Sequence, residues 1–534
     1  MPDDATPRPV HDDSALHAAL VQALGPDNVS TAPETTALFS QDIFSKAARA
    51  AAYVITPHST EDAARAVAVA TQDGRAVIAR GGGMSYTGGY LPTEDGAVMV
   101  DMSAMDRILE INEEDMYVTV EAGCTWAALY DALKAKNLRT PFWGPLSGLS
   151  STIGGGLSQN NAFFGAGTWG TTADCVTSLT VVTADGSVVK TGSGGTQTGA
   201  PFFRHYGPDL TGVFLGDTGA LGFKTEATFR LMPMPAAEDY ASFEFKTPAD
   251  VAAALSAWSR AGLGCELFAF DPNLQKLRLK RASLMQDVKS LTGVVKGQKN
   301  LLSGVKEAAK VAMAGRTFVD EASYSAHIVV EGRSDAAVAE DMKAARAIAA
   351  AHSGTEVANT MPKVTRSTPF SPLNNVIGPE GERWAPVHGI VPHSKAENVW
   401  AAIDKLFLDN AAEIDRHGVL TGYLVTTLST NGFLIEPVFF WPEEIYDIHR
   451  QTVEPSYLAK ITERPANPAA TETVARLRSQ IMAIFQEAGA VHFQIGKAYP
   501  YKESLRPETL ALLEDIKSAV DARRRVNPGS LGLT

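Results

Sequence analysis

Cysteine is scarce. The 534 residues hold three, Cys124, Cys175 and Cys265, and no two are near neighbours. That spacing suggests neither a disulfide framework nor a CxxC metal site. No run of 18 or more apolar residues occurs, so no membrane-spanning helix is expected. The opening MPDDATPRPVHDD lacks a basic n-region and an apolar h-region, which argues against a secretory signal and for a cytoplasmic protein. Positive charge is also in deficit: 47 Lys and Arg face 60 Asp and Glu, a formal net charge of -13. Nucleic acid rewards the opposite balance and is not expected as a partner. No segment repeats at a fixed period. What is present is 45% hydrophobic and 20% charged, enough to supply a core, over a length that calls for two or more packed units.

The first 140 residues alternate short apolar runs with amphipathic ones. ALHAALVQALG (15–25) reads as a helix ended by Gly25, AAYVITP as a strand closed by Pro57, and STEDAARAVAVATQDG as a helix with Ser59 as its N-cap. AVIAR, GAVMVDMS and MYVTVEAG read as strands, and CTWAALYDALKAKN as a helix. The stretch 141–175 is rich in Gly, Ser, Thr and Asn, too long and too small-sided for an ordinary loop. SLTVVTADGSVVKTG predicts a hairpin about an Asp-Gly turn. A boundary falls near 236. Beyond it, 237–482 alternates strands and helices, and the tail from 483 ends in NPGSLGL.

Four glycine-rich loops fall in the first 222 residues: RGGGMSYTGGY (80–90), SSTIGGG (150–156), FGAGTWG (164–170) and GDTGALG (216–222). The first carries five glycines in eleven residues. Without Cβ atoms, successive N–H groups can form a concave anion site, although one such loop alone is as easily a tight structural turn. It is not a Walker loop, because no Gly-Lys-Ser/Thr follows, and no regular helix follows as a dinucleotide fingerprint requires. Four in this order suggest one long cofactor laid against bare backbone; a set of Gly-rich turns for a sheet is the alternative.

The chain resembles the vanillyl-alcohol oxidase / p-cresol methylhydroxylase family of flavoproteins, which also holds FAD-linked 2-hydroxy-acid dehydrogenases. The resemblance rests on ITPHSTEDAARAV, ARGGGMSYTGG, VDMSAMDRILEIN, VTVEAGCTW, STIGGG with a following Asn, WGTTADCV, VVTADGSVV, GDTGALGFKTEATFRL and the terminal NPGSLG. It spans most of 50–235 and resumes near 480. It implies an α+β protein: a two-part FAD-binding domain formed by both chain ends (1–236, core 50–235, completed by 483–534) with an intervening α+β cap at 237–482. By resemblance, Arg80, Gly81, Gly82, Gly83, Met84 and Ser85 meet the pyrophosphate. Pro145, Ser147, Thr152, Gly154, Gly155, Asn160, Gly165, Gly219, Gly222 and Phe223 follow the rest of the FAD, and Asn527 approaches from the tail. No residue reveals a nicotinamide site.

Family members that tether the flavin through the first glycine loop carry His where this chain has Met84, which excludes that link. The paired cysteinyl link is not expected, since 160–170 holds no Cys. His388, in WAPVHGIVP, lies where some members place a cap histidine bonded to the flavin; a hydrogen-bonded strand histidine is the other reading. A flavin oxidises a C–H by taking hydride, and the protein must prepare the neighbouring O–H. The catalytic candidates are His492, as base or substrate-positioning group unless it is a core histidine, Lys497, as an oxygen polariser unless it only solvates its loop, and Tyr446. The chain also departs from the family. His492-Phe493 stands where phenol oxidisers carry Tyr-Arg, and Thr171 where they carry an aspartate. Metal-dependent members carry cap histidines and a glutamate before the catalytic histidine; here the cap stretch reads STNGFLIEPVFFWPEE, with Glu436 as the lone survivor of such a set, and Val491 precedes His492, so no metal is expected.

The cap aromatics Tyr423, Phe439, Phe440, Trp441 and Tyr446 alternate as strand residues do, so they line either core or pocket. The expected function is transfer of hydride from an aromatic alcohol or alkylphenol to FAD. A D-lactate- or glycolate-like 2-hydroxy-acid dehydrogenase is the alternative, and a non-catalytic flavin-binding protein the reading from another class. Oxygen or an electron-acceptor protein would reoxidise the flavin, and the family implies a homodimer. The stretch 271–316 carries ten Lys or Arg against three acids, either a solvated helical face or a peripheral membrane contact.

Overall fold

A computed structural model describes residues 13–285 and 323–534. Most of the basic stretch 271–316, with the membrane contact expected there, lies outside the described residues.

The chain forms two α+β layers of structure around a cleft. In the first region β1 (Val29–Ser30), β2 (Tyr53–Ile55), β3 (Val77–Arg80) and β4 (Val98–Asp101) make a sheet in the order β1-β2-β4-β3, with β2, β4 and β3 parallel. Parallel pairing requires crossovers, and the helix Thr60–Gln72 supplies one. The Ser59 hydroxyl accepts the Asp62 N–H at 3.1 Å, capping that helix as its sequence predicts. A five-stranded antiparallel sheet follows, made of β5 (Ile108–Asn112), β6 (Tyr117–Glu121), β8 (Val176–Val182), β9 (Val188–Lys190) and β10 (Phe223–Arg230). The two-residue strands β7 (Leu138–Arg139) and β11 (Met232–Pro233) pair with each other. The β8–β9 hairpin turns at Asp185-Gly186, where Gly186 has φ +84°.

The sheet of the second region begins at Ala237. It runs β15 (Thr355–Val357), β12 (Ala237–Phe245), β14 (Tyr324–Gly332), β13 (Glu266–Phe270), β18 (Leu420–Leu428), β19 (Gly432–Pro442), β16 (Glu382–Pro386), with β17 (Gly389–Val391) also on β19. Helices Pro248–Arg260, Asp335–Ala351, Ala396–Asp409 and Pro468–Glu487 bury one face through Trp258, Met342, Trp400 and Phe485. The opposite face is left to cover the cleft.

The tail returns to the first region. Val526 lies parallel to Val77, with the Val77 N–H donating to Arg525 O at 2.8 Å and the Asn527 N–H to Val77 O at 2.9 Å. The Lys517 ammonium is buried and donates to Ala220 O, Val526 O and the Asp521 carboxylate at 2.7, 2.9 and 2.6 Å. Among the described residues no helix is long and apolar enough to cross a membrane.

A glycine-lined cleft as the candidate active site

A cleft lies between the two regions. Its floor is glycine. A Cβ on Gly81 would stand 2.2 Å from Thr152 Oγ1, and one on Gly82 only 1.9 Å from the Ser150 carbonyl oxygen, so the two loops meet at a distance no side chain allows. Gly83 has φ +72°. Among the described residues none accepts a hydrogen bond from the amides of Gly82, Gly83, Met84 or Ser85, which leaves a run of donors at the floor.

The stretch 141–175, too long and too small-sided for an ordinary loop, contains a helix, Ile153–Gln159, that includes Gly154, Gly155 and Gly156. Glycine disfavours helix by about 1 kcal/mol per residue relative to alanine. The Thr152 hydroxyl nevertheless caps it, accepting the Gly155 N–H, and close approach demands the glycines: a Cβ on Gly154 would lie 2.8 Å from Ala122 Cβ. Ser151 Oγ, Gln159 Oε1 and Asn161 Oδ1 also line the cleft, buried and without a protein partner. Polar atoms in that state are normally satisfied by something. Free amides, bare backbone and orphaned polar atoms together fit a dinucleotide.

The roof is the second sheet. Residues alternate in direction along a strand, so β19 presents Leu434, Glu436, Val438 and Phe440 to the cleft while Ile435, Phe439 and Trp441 pack into the helical layer. Leu424 and Thr426 of β18 lie opposite Glu436 and Leu434, and Trp384 of β16 opposite Phe440. Tyr86, Phe163, Phe270, Phe493 and Gln494 complete the wall, with Arg278 also on it. Tyr86 shares a side-chain hydrogen bond with Gln494. Glu436 is half-buried among apolar neighbours, and desolvation pushes its carboxyl up to about 8.

Of the sequence-predicted positions, Gly81, Gly82, Gly83, Met84, Ser85, Pro145, Ser147, Thr152, Gly154, Gly155, Gly219 and Gly222 line this cleft. The others stand outside its lining. Arg80 points under the floor, its guanidinium 4.2 Å from the Phe39 ring centroid. Asn160 closes the helix in the left-handed region (φ 51°), its Oδ1 accepting the Ala173 N–H. Gly165 (φ +88°) donates its N–H to Glu266 at 2.8 Å. The Phe223 ring is packed in the first region's core. Asn527 is fully engaged: its amide donates to Gly89 O and Thr218 O at 2.8 Å, and its Oδ1 accepts from Lys497 Nζ at 2.8 Å.

None of the three catalytic candidates, His492, Lys497 and Tyr446, lines the cleft. Lys497 also donates to Leu91 O at 2.6 Å, so its ammonium ties tail to glycine loop rather than facing a substrate; burial brings it down to about 7. Tyr446 begins the helix Asp447–Thr452, its ring held between Lys46 Nζ at 4.2 Å and the Arg383 guanidinium at 4.0 Å. His492 turns away from the cleft, its Nδ1 2.7 Å from His388 O and its ring stacked 4.1 Å on Tyr499, because Phe493 takes the inward position. His388 is buried, its ring stacked 4.2 Å on Phe493, its Nδ1 3.2 Å from the Tyr499 hydroxyl and its Nε2 without a protein partner. Glu436, Arg278 and Gln494 are among the polar lining groups that had been given no part in catalysis; the one available signal for Glu436 was a lone carboxylate in the apolar run GFLIEPVFFW. Among the described residues no cluster of His, Cys, Asp and Glu is arranged to hold a metal.

Comparison with known proteins fits this geometry. Residues 51–192 match the family described as "FAD binding domain". The glycolate oxidase subunit GlcD of Bacillus subtilis is 33% identical over 216 residues, 40% of this chain and 44% of that one. The mitochondrial D-lactate dehydrogenase [cytochrome] 1 of Saccharomyces cerevisiae is 31% identical over 227 residues, 42% of this chain and 37% of that one. The matched part thus spans less than half of either relative. Across the whole chain the fold is similar to p-cresol methylhydroxylase (TM-score 0.73, 18% identity, 97% of this chain and 96% of that one). It is also similar to the 4-ethylphenol oxidase of Gulosibacter chungangensis (TM-score 0.66, 16% identity, 97% of each). The fold is the α+β fold of these flavoproteins, and the cofactor this cradle takes is FAD.

Proposed function

We propose that the protein is an FAD-dependent oxidoreductase acting on the carbinol or benzylic C–H of an aromatic alcohol or alkylphenol, with Glu436 taking the proton of the adjacent O–H. The observation that carries this reading is the position of Glu436: a carboxyl among apolar and aromatic residues on the wall of the same cleft that the glycine loops line. Gly81, Gly82, Gly83, Met84 and Ser85 hold the pyrophosphate through their amides; Pro145, Ser147, Thr152, Gly154, Gly155, Gly219 and Gly222 follow the remainder. When bound, FAD supplies a flat ring that accepts hydride from a substrate C–H.

The chain's own residues do the rest. Trp384, Phe440 and Phe163 offer flat apolar surface to an aromatic ring and exclude water. The Tyr86–Gln494 hydrogen bond braces the inner wall beside Phe493. Glu436 accepts the hydroxyl proton in its carboxylate form, and the low polarity around it keeps that proton at hand once transferred. Oxygen or an electron-acceptor protein completes the cycle, and the family likeness favours a homodimer.

A 2-hydroxy-acid substrate is the second reading, favoured by one feature of the cleft: Arg278 places a cation on its wall, and the names of the sequence relatives point the same way. Anaerobic reduction of the bound flavin by benzyl alcohol, compared with D-lactate and glycolate, tests the proposal. Reduction by the aromatic alcohol, slowed about 10²- to 10⁴-fold in Glu436→Gln, is expected. Equal rates in the variant, or reduction by the small acids alone, would overturn it.

A further inference from the structure

Among the described residues the first region brings a single charged side chain to the cleft. Lys224 of β10 lines it, whereas the other two charged lining groups, Arg278 and Glu436, belong to the second region. The Lys224 ammonium is 2% exposed and pairs at 2.6 Å with Asp217, which is 1% exposed and lies outside the lining. The Asp217 carboxylate also accepts the Gly219 N–H at 3.0 Å and the Leu221 N–H at 3.2 Å, so it is fully engaged within its own loop. An ammonium has three N–H groups. Among the described residues only Asp217 accepts from Lys224, which leaves two buried donors at the cavity wall without a protein partner.

Register and loop contacts place this pair beside the first glycine loop. Lys224 stands opposite Val181 on β8, and directly opposed residues share a face of the sheet. Val181 belongs to the core that holds Ile153 and Leu157, so Lys224 rises on the face that carries the glycine-rich helix Ile153–Gln159. The loop 216–222 wraps the end of that helix: the Gly216 N–H donates to Leu157 O at 2.9 Å and the Thr218 N–H to Ser158 O at 2.8 Å. Thr218, next to Asp217, meets the first glycine loop. A Cβ on Gly89 would stand 2.9 Å from Thr218 Cγ2, and the Asn527 amide donates to both Gly89 O and Thr218 O at 2.8 Å.

Charge is what the glycine cradle otherwise lacks. The amides of Gly82 to Ser85 offer N–H dipoles and no formal charge, while FAD carries two negative charges on its pyrophosphate into a closed site. A buried ammonium with two spare donors supplies a countercharge and charge-assisted hydrogen bonds together. Oxygens of the flavin ring or the ribityl chain accept such bonds too, but they leave the pyrophosphate uncompensated. We propose that Lys224, held in place by Asp217, is the cationic anchor of the cofactor's pyrophosphate. The anchor makes no use of Glu436 and stands apart from the oxidation chemistry.

Titration of flavin-free protein with FAD and with riboflavin, read by flavin fluorescence, tests the anchor, because riboflavin keeps the ring and lacks both phosphates. Lys224→Met is expected to weaken FAD roughly 10- to 100-fold, the range of a charge-assisted hydrogen bond, and to leave riboflavin binding as it is. Asp217→Asn removes the competing carboxylate but keeps an acceptor oxygen, so FAD binds that variant at least as tightly as the native chain. A pair that only pinned its loop would make the two variants weaken FAD alike. Lys224→Arg covers the case in which the methionine variant fails to fold. It keeps the charge, so FAD affinity stays within about tenfold of native, while ³¹P NMR of the loaded protein shows the pyrophosphate resonances displaced. Unchanged FAD affinity in Lys224→Met, equal losses for FAD and riboflavin, equal weakening by Lys224→Met and Asp217→Asn, or native ³¹P resonances in Lys224→Arg overturns the anchor.

Discussion

At the scale of single residues the chemistry turns on a carboxyl that burial keeps protonated. Among the described residues no cation offsets the desolvation that lifts Glu436 to about 8. The carboxylate needed to accept a proton therefore grows as pH rises. The rate of flavin reduction by an aryl alcohol is expected to climb through the range up to about pH 8 and level above it, and Glu436→Gln flattens the profile. A stopped-flow pH series checks this; a profile already flat in the native chain contradicts it. The same shift has a sign for stability. The folded chain holds a proton on Glu436 that the unfolded chain, with an ordinary carboxyl, has lost by neutral pH. Stability is thus fully present below the unfolded value and drains away as pH rises through the folded one. Calorimetry should show Glu436→Gln losing less of its Tm between pH 6 and pH 9 than the native chain.

The floor gives a complementary prediction. Gly82→Ala places a methyl 1.9 Å from a backbone oxygen that has no freedom to swing aside. The variant is expected to purify with its flavin absorbance largely lost, which a visible spectrum checks. The glycine loop was legible in the sequence because it depends on a residue type. The inward group of the tail was not, because it depends on direction: Phe493 faces the cleft and His492 its back, a difference of one position that no residue count in GAVHFQIGK reveals.

At the scale of elements, β19 shows what strand alternation settles and what it leaves. The run Tyr423, Phe439, Phe440, Trp441 reads equally as core or pocket, and the structure divides it: Phe440 looks into the cleft, the others into the helical layer. Phe439→Ala should cost about 3–5 kcal/mol in urea unfolding with little effect on substrate KM. Phe440→Ala should instead change the preference among aryl substrates, since it removes a wall of the pocket. The Gly-rich helix Ile153–Gln159 escaped sequence reading for another reason. Local propensity argues against it, and the contacts that reward its glycines, Ala122 and Trp126, come from β6's end and the following helix.

At the scale of the whole molecule, the two regions are joined by charge as well as by the cleft. Arg366 pairs with Glu266 at 2.9 Å, with Glu238 at 3.0 Å and with Glu331; Glu331 also meets Arg139 of β7. Glu266 in turn accepts the Gly165 N–H, which ties the third glycine-rich loop to the upper sheet. Arg366→Met strands buried carboxylates and should cost about 3–5 kcal/mol in chemical denaturation. None of this network is visible in the sequence, where its members lie up to 227 residues apart. The parallel-paired tail was legible only through its resemblance motif, NPGSLG.

The central claim is that this cleft oxidises an aryl alcohol at bound FAD with Glu436 as proton acceptor. The most direct measurement is the visible spectrum of the purified chain and of Glu436→Gln during anaerobic mixing with benzyl alcohol. The account predicts flavin absorbance in both proteins, bleached rapidly in the native chain and slowed about 10²-fold or more in the variant. Protein that binds no flavin, or flavin bleached at the same rate in both, would contradict it.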